Sequence, residues 1–163
     1  MIIRHAAESD IPVIEDILLD VMRWMDATGQ HLWEEHHMRW EGLLEQYDCT
    51  PDNFCILFVD EIPAACMVLL DEDPTFWGLP KGEALYIHKL AVKREFAGQG
   101  YSKALIDYAK EVARERSIET VRLDTHQGRT KVRAIYEREG FECVKECTLF
   151  GKYHTAFYVY KVK

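Results

Sequence analysis

The 163-residue chain contains no apolar run approaching the ~20 residues that cross a bilayer, so neither a spanning helix nor a membrane partner is expected. Its opening residues, MIIRHAAESD, lack the apolar core of a secretory signal, and a cytoplasmic location is expected. Positive charge is scarce: 20 Lys and Arg stand against 28 Asp and Glu, a net charge of −8. Binding a phosphate backbone needs a basic surface, which argues against nucleic acid as a partner. An acidic surface instead mildly attracts amines. Cysteine is sparse as well, five residues with no Cys-x-x-Cys, and Cys143 and Cys147 do not form a zinc pattern. An odd count suits a reducing compartment and thiols that serve as packing. Repeats and low-complexity linkers are absent, so one domain over 1–163 is expected.

What is present is an alternation of strand and helix patterns. IIRH over 2–5 reads as a strand. Ser9 then reads as the N-cap of a helix with Pro12 in its first turn and Ile11, Ile14, Leu18, Val21 and Met25 at spacings of three and four, running to about Ala27. A second helix is expected over 34–47. FCILFVDEIPAACMVLLD reads as two strands around a turn at Asp60-Glu61, with Pro63 at the start of the second. After a 72–82 loop come a strand over 84–92, a helix from about Gln99 to Arg116, a strand over 118–125 and a helix over 130–139 stopped by Gly140. A closing hairpin turns at Gly151. The order β-α-α-β-β-β-α-β-α-β-β predicts an α+β domain with one mixed sheet.

The stretch LAVKREFAGQGYSKAL, residues 90–105, has a peculiarity. Helix N-termini favour Asp or Glu, because their unpaired N–H groups and the dipole carry partial positive charge. Here two glycines open the helix and the first carboxylate after Gly100 is Asp107. A Rossmann fingerprint does not fit, and the Gly-Lys-Ser/Thr ending of a nucleoside-triphosphate loop is missing. An anion from outside the chain would complete such a helix start.

HKLAVKREFAGQGYSKAL and RAIYEREGF, separated by a strand and a loop, resemble the GNAT superfamily of acyl-CoA-dependent N-acyltransferases. The resemblance follows the element order of nearly the whole chain and is most specific over 85–141. It implies a mixed, mostly antiparallel central sheet flanked by helices in three layers, and acetyl-CoA as cosubstrate with no metal. The family's pyrophosphate motif falls on Ala97, Gly98, Gln99, Gly100, Tyr101 and Ser102. Ala97 stands where the family carries Arg or Gln, and Ser102 where it carries Gly or Ala. Neither change removes the backbone donors. Gly98 and Gly100 would let the backbone approach a diphosphate closely, with Lys103, and Lys93 or Arg94, adding charge. Arg129, with Lys131 and Arg133, opens a second acid-free helix start that suits another phosphate of the same cofactor or a solvated basic face. The resemblance also implies that the backbone of Leu90, Ala91 and Val92 holds the thioester carbonyl and the pantetheine arm, on a strand that splays from its neighbour.

Acylating an amine directly requires a base, an oxyanion donor and an acid. An alkylammonium with pKa near ~10.4 must lose a proton, and a departing thiolate of pKa ~8.5 benefits from a donor. By resemblance Tyr136 is the acid. His88 is a candidate base, since imidazole titrates near ~6.5, and a cleft-wall histidine is the competing reading; strict alternation puts it on one strand face with Tyr86 and Leu90. Glu83 and Tyr86 are reserves, and His31, His36, His37 and His126 read as surface or loop residues. Trp33, Glu34 and Trp77 are candidates for the acceptor side, through cation–π and charge contacts, while Trp24 and Trp40 equally suit a core. The resemblance, with these candidate residues, implies an N-acetyltransferase, expected to act on a small-molecule amine. A protein or peptide acceptor, or a non-catalytic acyl-CoA sensor, are the alternatives. The resemblance implies a possible homodimer through the terminal strand, whose FYVY run could cover that interface or fill the core.

Overall fold

The computed structural model describes residues 1–162, in which strands β1 to β7 cover Ile2–His5, Phe54–Val59, Ile62–Leu70, Leu85–Val92, Thr120–His126, Glu142–Leu149 and Tyr153–Lys161 and lie side by side in the order β1-β2-β3-β4-β5-β7-β6. Helices α1 to α5 cover Ile11–Ala27, Glu35–Met38, Trp40–Gln46, Tyr101–Glu115 and Thr130–Arg138. The β4–β5 pair is parallel, while β1–β2, β2–β3, β5–β7 and β6–β7 are antiparallel. The fold is therefore α+β with a mixed, mostly antiparallel seven-strand sheet, the mixed sheet as expected from the element order and its mostly antiparallel pairing as the resemblance implies. Among the described residues no helix is long and apolar enough to cross a membrane. Contacts divide the chain into two compact units, Met1–Val68 with Lys89–Leu105, and Leu69–His88 with Ile106–Lys163.

In the first unit, α1 buries Ile14, Ile17, Leu18, Val21 and Met25, close to the expected apolar stripe. Its start differs from expectation. A 3-10 turn over Glu8–Asp10 precedes it, so Asp10 rather than Ser9 stands at the N-cap position of α1; its side chain makes no cap bond to that helix and closes the 3-10 turn instead. The Ala7 N–H donates to Asp10 Oδ2 at 2.8 Å, and Arg4 donates to both carboxylate oxygens at 2.7 and 3.1 Å. The Arg4 hydrogen bond, with that backbone N–H, holds the Asp10 carboxyl below its usual range. A carboxylate that can take Arg4 and the backbone together outcompetes a serine hydroxyl.

The single helix expected over 34–47 is broken. Arg39 is extended, with φ −91° and ψ 154°, between α2 and α3. Gly42 allows the break: a Cβ there would lie 1.9 Å from the His36 carbonyl oxygen. Trp40 packs its ring on Phe54, centroids 5.6 Å apart, and its backbone N–H donates to Glu15 Oε2 at 2.8 Å, so it is half-buried at the margin of the core. Because backbone rather than a flexible side chain blocks the space, Gly42→Ala should destabilise by about 2–4 kcal/mol in urea denaturation. A change below about 0.5 kcal/mol would mean that α2 and α3 separate freely.

The β2–β3 hairpin turns at Asp60 and Glu61, whose φ of 49° and 67° match the left-handed two-residue turn that suits strand twist. In the second unit β5 alternates, burying Val121, Leu123 and Thr125 and turning Thr120, Arg122, Asp124 and His126 to the other face. The thiols of Cys55 and Cys66 are buried, and burial pushes the Cys66 thiol up, in keeping with a packing role.

Candidate active site

In the first unit β4 ends in a 3-10 turn over Arg94–Phe96, then passes through Gly98 (φ 76°) and Gly100 (φ 85°) into α4. No atom lies within 4 Å of a Cβ built on either glycine, so positive φ rather than crowding within the chain explains them. The helix begins at Tyr101, two residues later than expected, and its first turn carries no acid. The amides of Gly98, Gln99, Gly100, Tyr101 and Ser102 find no acceptor among the described residues; the first backbone bond of the helix runs from the Ala104 N–H to the Gly100 carbonyl at 3.1 Å. The loop thus ends in a row of uncommitted donors at a positive dipole end.

Two neighbouring cations expected to add charge there are engaged elsewhere. Lys93 Nζ lies 2.9 Å from Asp16 Oδ2, and that hydrogen bond raises its pKa. Arg94 stacks its guanidinium over Trp24 at 3.7 Å while its backbone N–H donates to Asp20 Oδ2. Both residues tie the loop to α1 instead. Lys103 is exposed in the first turn of α4.

The strict alternation expected for β4 fails at Lys89, whose φ of 51° is left-handed. An L-residue adopts this conformation at a cost of about 1–3 kcal/mol, and such strain concentrates at functional sites. Tyr86 and His88 keep a common face before Lys89, their rings 6.4 Å apart and 19° from parallel, but the alternation does not carry through to Leu90. Ala91 is buried, and Leu90 and Val92 are half-buried. Lys89 Nζ lies 5.5 Å from the Trp33 ring centroid and 5.7 Å from that of Tyr47. Trp33 is therefore half-buried in a cation–π contact. Glu34 is exposed and paired to His31 Nε2 at 3.0 Å, and His36 to Glu45 at 2.7 Å.

In the second unit Tyr136, on α5, is buried against Phe141 and Tyr158, with centroids 6.1 and 6.0 Å away. Burial pushes its phenol up to about 12; the charge of Arg129 offsets part of this, while Asp124 and Tyr158 add to it. Its hydroxyl makes no hydrogen bond among the described residues, although the rest of its surroundings is bonded. Tyr158 donates to Glu137 Oε2 at 2.6 Å, and Arg133 Nε donates to the Tyr158 hydroxyl at 2.8 Å. Arg133 also reaches the Gln127 carbonyl and Glu146, both at 2.9 Å. Arg133 therefore clamps β6 and β7 to α5, and the anion-binding reading of the second basic helix start is left to Arg129 and the exposed Lys131. Arg129 is the N-cap of α5, and burial lowers its pKa.

His88 lies on β4 with Nε2 3.6 Å from Asp73 Oδ2. Asp124 of β5 completes a group in which one ligand-capable atom from each residue lies within 4.8 Å of the others. The other Asp73 oxygen accepts the Phe76 N–H at 2.9 Å. Burial raises the Asp73 carboxyl, opposed by the backbone donors of Phe76, Thr75 and Trp77. Trp77, a candidate for the acceptor side, packs edge-on against Phe157 at 5.0 Å and beside Tyr86 at 6.1 Å, with Arg122 5.1 Å from its ring. Within this unit the β4–β5 ladder comprises Leu85–Val121 and Tyr86–Arg122. His126 is half-buried and its pKa is lowered, chiefly by burial.

Sequence reasoning missed Asp73, Asp124 and Tyr47. Asp124 carried a usable signal, since strict alternation along TVRLDTH sets it on the polar face. Asp73, in the Asp-Pro pair that opens the 73–77 turn, is a familiar backbone-capping position. Nothing local marks Tyr47.

A strand–glycine–helix crossover in a mixed α+β sheet, with a buried tyrosine on the following helix, defines a class of acyl-transferring folds. The model of the acetyltransferase (GNAT) family matches residues 18–141, and the chain belongs to that family, an N-acetyltransferase. It is 30% identical over 149 residues to the uncharacterized N-acetyltransferase YesJ of Bacillus subtilis, covering 84% of this chain and 79% of that one. The fold is similar to a GNAT acetyltransferase of Listeria monocytogenes, with a TM-score of 0.72, 22% identity, and 98% and 94% of the two chains covered. It is also similar to the PaiA N-acetyltransferase of Thermoplasma acidophilum in complex with coenzyme A, with a TM-score of 0.75, 16% identity and 98% of each chain covered.

Proposed function

We propose that the chain transfers the acetyl group of acetyl-CoA to a primary amine on a small molecule by direct attack. The observation that carries this reading is the run of uncommitted amides from Gly98 to Ser102 at an acid-free helix start. Those amides, with Lys103, would receive the diphosphate, and the backbone of Leu90 to Val92 the thioester arm. The left-handed Lys89 supports a strand whose backbone departs there from regular extended geometry. Arg129 would meet a further phosphate.

His88 takes the proton from the attacking amine. Asp73 is a positioning residue: one oxygen is fixed by the Phe76 N–H, and the other faces the imidazole. Tyr136 donates to the departing sulfur. A phenol at about 12 stays protonated at neutral pH. The burial that raises it would also raise a thiol beside it, keeping donor and acceptor matched. On the acceptor side Trp33 and Glu34 supply an aromatic face and a carboxylate, and the acidic chain favours a cation. Trp77 serves that side indirectly, by packing over Tyr86 and Phe157.

Calorimetric titration with acetyl-CoA, followed by an amine panel read as release of free coenzyme A thiol, tests the proposal. Binding and turnover with a small amine are expected. Absence of heat would overturn the cofactor site, and turnover confined to peptides would move the acceptor to a protein.

A further inference from the structure

We propose that Asp73, His88 and Asp124 bind one divalent transition-metal ion of the zinc class. The three residues lie 15 and 36 positions apart, so no motif announces them; strands and a loop of the second unit bring them together. One imidazole and two carboxylates, without a thiolate, suit Zn²⁺, Co²⁺ or Mn²⁺ better than the all-oxygen preference of Mg²⁺ and Ca²⁺. With metal–ligand bonds of about 2.0–2.2 Å, tetrahedral donors stand about 3.3 Å apart. His88 Nε2 and Asp73 Oδ2 are already 3.6 Å apart, and the whole set spans no more than 4.8 Å, so side-chain rotation alone closes the site.

Two further features point to an ion. The Phe76 N–H holds Asp73 Oδ1 at 2.9 Å, the kind of outer bond that orients a ligating carboxylate. Tyr86 is wholly buried, its ring is stacked beside His88 at 6.4 Å and 19°, and its hydroxyl has no hydrogen-bond partner among the described residues. A water on the ion would supply that partner. An ion held by His88 also removes the nitrogen that accepts the amine proton, so it inhibits transfer. The inhibition rests on the role proposed for His88; the binding does not.

Metal-free protein titrated calorimetrically with Zn²⁺ should bind one ion per chain. Asp73→Asn and Asp124→Asn should each weaken binding about tenfold or more, since even outer-shell losses cost 10–100-fold. His31→Ala removes the exposed His31, Asp26 and Glu34 group, whose contacts are 2.8 and 3.0 Å, and should leave binding unchanged. Should the Asp variants fail to fold, X-ray absorption of the zinc-loaded wild-type protein should show one imidazole in an otherwise oxygen shell. Absence of heat, loss of binding in His31→Ala, or a sulfur or second imidazole in the shell would each overturn the proposal. Zinc binding without inhibition would retain the site and overturn the role of His88.

Discussion

Tyr136→Phe is expected to lower kcat by about two orders of magnitude or more, within the range typical of a lost general acid. Affinity for acetyl-CoA should stay within about twofold, because the ring that packs on Phe141 and Tyr158 is unchanged. Stability separates this from a structural role. The hydroxyl has no partner to lose among the described residues, so the melting temperature should hold or rise. The sign of the pH dependence follows from the raised phenol. A group at about 12 keeps its proton throughout the ordinary assay range, so it adds no falling limb to the wild-type rate profile below about pH 11. Full activity in the variant would remove Tyr136 from the chemistry, and a large fall in its melting temperature would make it a packing residue.

Ser102→Asp should push two measurements in opposite directions. A carboxylate in the first turn of α4 meets the positive end of the dipole, and should stabilise the fold by about 0.3–1 kcal/mol. The same charge would face the incoming diphosphate, and the affinity for acetyl-CoA should fall by about tenfold or more, most steeply at low salt. Calorimetry at two ionic strengths, with a thermal melt, reads both effects. Equal or tighter acetyl-CoA binding would show that the phosphates lie elsewhere. Because stability rises while binding falls, unfolding cannot mimic the result.

How legible this protein is from its residues depends on the range of the forces concerned. The Asp60-Glu61 turn, the stripe of α1 and the closing hairpin follow from neighbours within a few positions, and the structure has all three. The break at Arg39 was not legible, because it depends on the His36 carbonyl seated over Gly42, a contact that periodicity does not encode. The glycine-opened helix could be read directly, since an absent acid is visible in a sequence. The engagement of Lys93 with Asp16, and of Arg94 with Trp24, could not, because each partner lies about 70 or more positions away. The Asp73–His88 contact is hidden by a 15-residue separation, and the departure of β4 from alternation by one left-handed residue, Lys89, that no composition rule marks.

The last hairpin raises a separate matter. Strand β6 shows Glu142, Cys143, Val144, Lys145 and Glu146 to solvent in succession, so neither of its sides is anchored by a buried row. A slip by one place against β7 would carry little hydrophobic penalty there. What forbids it is the irregularity between Cys143 and Lys145, the corner at Phe150 and Gly151, and the grip of Arg133 on Glu146. These three fasteners make the outermost ribbon tolerant of exchange at most of its side chains, and sensitive to any change in its number of residues.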